Sequence, residues 1–417
     1  MSDRTSDPTR VAWLDGMRGV AATQVVLMHY ASAFLPGIGL RDPRLVHDSW
    51  EVAFIHTPLF LPFDGYSAVY IFFVLSGVAL TYSFGLRPYA ITSGLVRRIV
   101  RLGIPMMAAV LIGAMWFSLW PVTHVTAGSL SGSSWLASLG PDRTSFATIV
   151  HQIGLEGMLA GYAEVSVLPR VIQQALDLTS LFKSFASPLW TLHLEFVGSL
   201  MVLGLVALRR AVARRLHVLV CVLLIGALAS SALFLFVIGH LAAEWLRTPA
   251  ERRYDLWFGV GLCALGILLC TTDTFASVPR LIKLLPTPFV GRHEAPSMFQ
   301  SMYGAVAIFF GIASLPRLQQ LLGRPALRWL GKISFSLYLT HFSLLIAGGS
   351  AGLMLMTAKL SYLSAAAVVS VVGILLSLLI AVGFEAAIDR PAIALSRRIA
   401  KALSHSRSPS ATLGLPT

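Results

Sequence analysis

Leu363–Phe384 reads LSAAAVVSVVGILLSLLIAVGF, a run of large aliphatic residues broken only by small and hydroxyl side chains. About 20 apolar residues in succession cross the hydrocarbon core of a bilayer as a helix. In lipid only helices and closed barrels satisfy their backbone, and this run is continuous where a barrel strand would alternate, so a helix is predicted. Similar runs recur outward along the 417-residue chain, at about Trp13–Leu35, Ala68–Phe84, Ile104–Trp120, Pro188–Ala207, His217–Val237, Leu256–Cys270, Met298–Leu315 and Ile333–Met356. Across the sequence 56% of residues are hydrophobic and 12% are charged, where a soluble domain carries about 25% charged residues. A larger core cannot absorb the difference, because single cores stop growing beyond about 250–300 residues. The surplus apolar surface therefore faces lipid. The expected fold is all-α, a polytopic transmembrane helical bundle.

The net charge of +13 is gathered into arginine clusters between the apolar runs: Arg87, Arg97, Arg98 and Arg101; Arg209, Arg210, Arg214 and Arg215; Arg317, Arg324, Arg328 and Lys332; Arg390, Arg397, Arg398 and Lys401. The positive-inside rule puts these, and both termini with Arg4 and Arg10, in the cytoplasm. An even number of crossings must then separate Arg215 from Arg317, yet three runs are evident between them. A further crossing is expected at 276–290 or within His240–Tyr254, giving about ten spans. Residues 1–10 read as a cytoplasmic N-terminal segment, 11–398 as the transmembrane domain and 399–417 as a disordered Ser/Pro-rich tail. Residues 121–186 are too polar to span and form a long extracytoplasmic loop, with a short interfacial helix at Ile149–Ala163. Met1–Arg10 is polar and the first apolar run continues as a span, so no cleavable leader is expected. The preference for Arg over Lys points to a GC-rich bacterial genome and thus to a bacterial inner (cell) membrane. No basic stripe with interleaved aromatics speaks for nucleic acid. Cys221, Cys263 and Cys270 lie in apolar runs and read as small packing residues, so no metal is expected.

Ionisable groups inside spans cost several kcal/mol and tend to be functional. The first run contains Leu14-Asp15-Gly16-Met17-Arg18-Gly19 and then Leu27-Met28-His29-Tyr30. Arg18 and His29 are three helical turns apart, on one face, about 16 Å along the axis. Snorkelling accounts for Arg18 alone, and an interhelical hydrogen bond for His29 alone; together on one face they point to a site, with a neutral His29 as general base. Asp15, one turn before Arg18, is placed to cap the helix or hold the guanidinium. Phe72–Gly77 ends in Ser76 and Gly77, and Arg98 and Arg101 share a face that can grip phosphate, although cytoplasmic charge alone also accounts for them. Glu195 needs a partner; His193, two residues away, points elsewhere. Tyr338 and His341 share a face. Buried His, Arg and Glu also occur in proton-coupled small-molecule transporters, but those carry paired half-repeats, which this chain lacks.

In this order the motifs resemble those of the acyltransferase 3 family of integral-membrane O-acyltransferases, from about residue 11 to residue 398. The matching segments are Leu14–Gly19 with Arg18 and His29, Phe72–Gly77, Arg98 with Arg101, Trp190-Thr191-Leu192 with Glu195, Ile333–His341, and Asp389-Arg390-Pro391. Phe196 stands where the family usually has a second Glu, and His193 where it has a small polar residue. The resemblance implies transfer of an acyl group, commonly acetyl, from cytoplasmic acyl-CoA (acetyl-CoA) to a hydroxyl of a sugar or glycosylated metabolite. It makes His29 the catalytic histidine, as base or as brief carrier of the acyl group, with Arg18, Glu195 and His341 in the catalytic group and Arg98, Arg101, Ser76 and Gly77 on the donor side. Ser76, Tyr338 and His341 are the candidates for stabilising an oxyanion.

Overall fold

The computed structural model describes residues 9–55, 57–85, 91–247, 255–271 and 296–405. Every regular element among them is helical. The main helices are α1 (Thr9–Phe34), α2 (Gly65–Gly85), α3 (Ile91–Leu119), α4 (Trp190–Ala211), α5 (Arg214–Ala227), α6 (Phe234–Trp245), α7 (Leu256–Thr271), α8 (Pro296–Ser314), α9 (Pro325–Leu344), α10 (Tyr362–Phe384) and α11 (Arg390–His405). Wide turns at Leu345–Gly349 and Glu385–Asp389 carry α9 on to Thr357 and α10 into α11.

Five helical stretches are long and apolar enough to cross a bilayer: Gly65–Gly85, Ser93–Leu119, Ser187–Ala211, Pro325–Thr357 and Tyr362–Leu403. A sixth arises if Gln300–Ser314 and Pro316–Leu322, bent by 99°, are taken together. By that measure the expected ten is not reached among the described residues. Although α1 has 26 residues, it carries Asp15, Arg18, Gln24 and His29. The single span expected at His217–Val237 is two helices. Ser231 Oγ accepts the Leu233 N–H, a local bond that competes with helix continuation, and α5 stops before it. α5 and α6 run antiparallel, since His217 near the start of α5 meets His240 near the end of α6. The segment 276–290, residues 248–254, Arg4 and Arg87 lie outside the described residues.

Glycines decide which helices meet. A Cβ on Gly19 would lie 2.6 Å from the Gly331 nitrogen and 2.8 Å from the Leu327 carbonyl oxygen. The Asp-Gly-x-x-Gly stretch thus lets α1 cross the start of α9 at backbone distance and turns Arg18 inward. Small residues do the same between α7 and α8, where Cys263 and Cys270 pack at Gly311 and Gly304, a small-residue crossing usual in membranes. Gly77 packs on α6: its Cβ would come 2.5 Å from the Phe236 carbonyl oxygen and 2.9 Å from Gly239 Cα.

The 121–186 loop is ordered by polar bonds. Its expected interfacial helix lies at Phe146–His151 and continues with widened turns over Gln152–Ala160. Glu156 accepts from the Thr179 backbone N–H and hydroxyl, the latter at 3.0 Å, and Glu164 accepts from Ser180 Oγ and Leu181 N at 2.6 and 2.7 Å. His193 ties α4 to the loop: Nδ1 donates to the Met158 carbonyl at 3.1 Å and Nε2 accepts the Val167 N–H at 3.1 Å. At the other end, α11 continues through His405, and residues 406–417 lie outside the described residues. Ala392, Ser396 and Ala400, spaced by four, are the buried stripe of α11.

Candidate active site

Two cavities meet at Val69 and Tyr338, which line both. The narrower, about 70 Å³, is walled by Arg18 from α1, Ser76 from α2, Arg98 and Arg101 from α3 and Glu195 from α4. Arg98 Nη2 donates to Glu195 Oε1 at 2.6 Å, with side chains 7% and 17% exposed. Glu195 thus finds the partner its burial demanded, and the partner is a neighbour on the donor side of the expected site. Arg101 feels the charges of Arg18, Arg98, Glu195 and the buried Asp389 together. Even with Asp389 behind the wall counted, three guanidiniums against two carboxylates leave a positive surplus at this cavity. Buried Arg98 Nε has no hydrogen-bond partner among the described residues. An unmatched charge and an orphaned donor in one cavity favour an anion.

The wider cavity, about 500 Å³, holds His29 with Arg41, Asp64, Trp135 and Phe342 in its walls. His341 is fully buried on α9, and its Nδ1 lies 2.7 Å from the Leu337 carbonyl, which can only accept. Nδ1 of neutral His341 therefore carries the proton, and its Nε2 offers a lone pair. His29 Nδ1 lies 2.9 Å from that Nε2 and donates to it. The lone pair of His29 is thereby fixed on Nε2, the tautomer a general base requires. Trp135 stacks on the imidazole with centroids 5.9 Å apart at 16°, and Phe342 meets it edge-on at 5.0 Å.

The structure therefore sorts the sequence candidates. Arg18, Ser76, Arg98, Arg101 and Glu195 share one cavity; His29 lines the other and bonds to His341. Gly77 lines neither, for it is buried in the α2–α6 crossing. Asp15 does not cap: it is exposed and six residues inside α1, which starts at Thr9. The Tyr338 hydroxyl donates to the Pro188 carbonyl at 2.9 Å and accepts from Thr191 Oγ1 at 3.0 Å. Trp135, Asp64, Arg41 and Asp389 were missed. For Trp135 the available signal was a large aromatic in an otherwise polar loop. For Asp64 it was a carboxylate just before an apolar run, where it now accepts from Ser67 N and Ser301 Oγ.

Comparison with known proteins gives the family. The acyltransferase-domain profile matches residues 11–382. An O-acetyltransferase, PaAT-1 of Phomopsis amygdali, is 25% identical over 389 residues, covering 82% of this chain and 73% of its own. No solved structure matches. Matched over almost its whole length and built around membrane-spanning helices, the chain belongs to the acyltransferase 3 family and is a transferase of acyl groups other than amino-acyl groups.

Proposed function

We propose that the protein is an acyl-CoA-dependent O-acyltransferase of the cell membrane that acylates a hydroxyl of a carbohydrate or glycosylated metabolite. The observation that carries this reading is the chain Leu337 carbonyl, His341, His29, which leaves His29 Nε2 basic beside a cavity. Acyl-CoA is a polyanion with a long, thin arm. The surplus charge of Arg18, Arg98 and Arg101 suits its phosphates, and the arm runs from there past Val69 and Tyr338. The narrow cavity holds only a few waters, so the partly buried Phe72, edge to face with Tyr338 at 6.1 Å, swings aside as the thioester arrives. The acceptor occupies the wide cavity, whose aromatic faces and Asp64 carboxylate match the apolar faces and hydroxyls of a sugar.

His29 Nε2 takes the proton of the acceptor hydroxyl as its oxygen attacks the thioester carbonyl. The tetrahedral oxyanion collapses with cleavage of the C–S bond, and the departing CoA sulfur receives the proton from His29. The Tyr338 and His341 protons are committed to carbonyls, and Ser76 lines the donor cavity rather than that of His29. The O-acetyltransferase relative supports acetyl as the transferred group. The arginine clusters favour cytoplasmic termini. Counting α5 and α6 as short antiparallel crossings restores the even number between Arg215 and Arg317 and gives ten spans. The test is His29→Ala in protein that still inserts: acyl transfer near the unmodified level refutes the base, and substrate flux without thioester consumption identifies a transporter.

A further inference from the structure

Away from both cavities, α5 and α6 bring together His217, Cys221 and His240, all buried, with their ligand-type atoms within 4.8 Å of one another. His217 and Cys221 stand one turn apart on the same face of α5. Nε2 of His217 and Nε2 of His240 are 3.1 Å apart, and Cys221 Sγ is 3.7 Å from His217 Nε2. A shared proton accounts for this contact only in part. Thr81 Oγ1 donates to the Gly77 carbonyl at 2.7 Å, so at 2.8 Å it accepts from His240 Nδ1–H. The bare lone pair of His240 Nε2 then faces His217. The His217 Nε2–H can donate to that lone pair, which leaves His217 Nδ1 buried with no hydrogen-bond partner among the described residues.

With the His217 proton on Nδ1, a cation would engage all three ligand atoms at once. Bonds of about 2.0–2.1 Å to imidazole nitrogen and about 2.3 Å to thiolate, at tetrahedral angles, separate two nitrogens by about 3.3 Å and nitrogen from sulfur by about 3.6 Å. The observed 3.1 and 3.7 Å are close to both. We propose that His217, Cys221 and His240 form a binding site for a divalent transition metal of the zinc class. Binding releases the Cys221 thiol proton to solvent, while both imidazoles coordinate as neutral donors. Thr81 is the outer partner that orients His240. Glu244, one turn beyond His240, places a carboxylate whose charge reaches all three groups and is held by Arg209 Nε at 3.2 Å. The metal pins α5, too short to anchor itself, to α6 and through Thr81 to α2.

The test uses the full-length protein in lipid nanodiscs. Metal analysis after growth with zinc is expected to find about one zinc per chain, falling at least about tenfold in His240→Ala. After chelator stripping, Co²⁺ is expected to produce the visible absorption of a tetrahedral site and a near-ultraviolet sulfur-to-cobalt band, with the latter lost in Cys221→Ser. A monodisperse unmodified protein with neither zinc nor a Co²⁺ spectrum overturns the proposal, because the cluster then shares protons only. A sulfur band that survives Cys221→Ser also overturns it, since the thiolate is then another cysteine.

Discussion

Replacing His341 by Ala removes the group that accepts the His29 Nδ1–H at 2.9 Å and touches no atom of the reaction. The structure sets the size of the effect. The His29 ring keeps its stack on Trp135 and its edge contact with Phe342, so its orientation survives. One neutral hydrogen bond is lost, about 0.5–1.5 kcal/mol, so kcat falls by about tenfold at most. His29→Ala removes the base itself and costs about 10²–10⁴-fold. In the double variant the orienting bond has no base left to orient, so the two losses must not multiply. The assay is release of free CoA thiol by the nanodisc-embedded protein, followed by mass spectrometry of esters in cell extracts. A His341→Ala variant as inactive as His29→Ala, or a double variant worse than His29→Ala by the full His341 factor, refutes the assignment of His29 as base and His341 as its support.

Glu195→Ala leaves Arg98 charged and buried. Breaking a buried pair costs about 3–5 kcal/mol, and with Glu195 17% exposed the loss falls toward the low end of that range; thermal unfolding in detergent should drop clearly more than for Glu195→Gln. Arg101→Gln should raise the KM for acyl-CoA by about tenfold, as expected for one charge-assisted bond, and leave the KM for a short pantetheine thioester unchanged. Gly19→Val drives a Cβ into the Gly331 nitrogen and the Leu327 oxygen, at 2.6 and 2.8 Å. Backbone cannot yield there, so a loss of about 1–3 kcal/mol or more is expected, read as a lowered Tm. Trp135→Ala should raise the acceptor KM more than the donor KM, because Trp135 lines the wide cavity alone.

The lipid-spanning character was plain from runs such as Leu363–Phe384, because hydrophobic length is a property of the sequence. The break inside His217–Val237 was not, since Gly226 and Ser230-Ser231 tolerate either a helix or a turn and the packing of α6 on α2 makes the choice. Placing Arg18 and His29 on one face was enough to nominate them. Their assignment to separate cavities depends on Tyr338 and Val69, which arrive from other helices. Glu195 demanded a partner that nothing local supplied, and Arg98 stands 97 residues away. Asp389 was quoted only as part of a terminal motif; its approach to Arg101 follows from the wide turn at Glu385–Asp389.

The carboxylate ties of the 121–186 segment have an engineering consequence. Glu156 and Glu164 fasten it to itself, and His193 fastens it to α4. A mouth built this way keeps its shape without a guest, so recognition at Trp135 incurs little ordering entropy. It also behaves as a cassette: grafted with its internal carboxylates and the matching histidine, the segment carries its own contour into another scaffold, and exchange between relatives becomes a direct way to reassign which hydroxyl is reached.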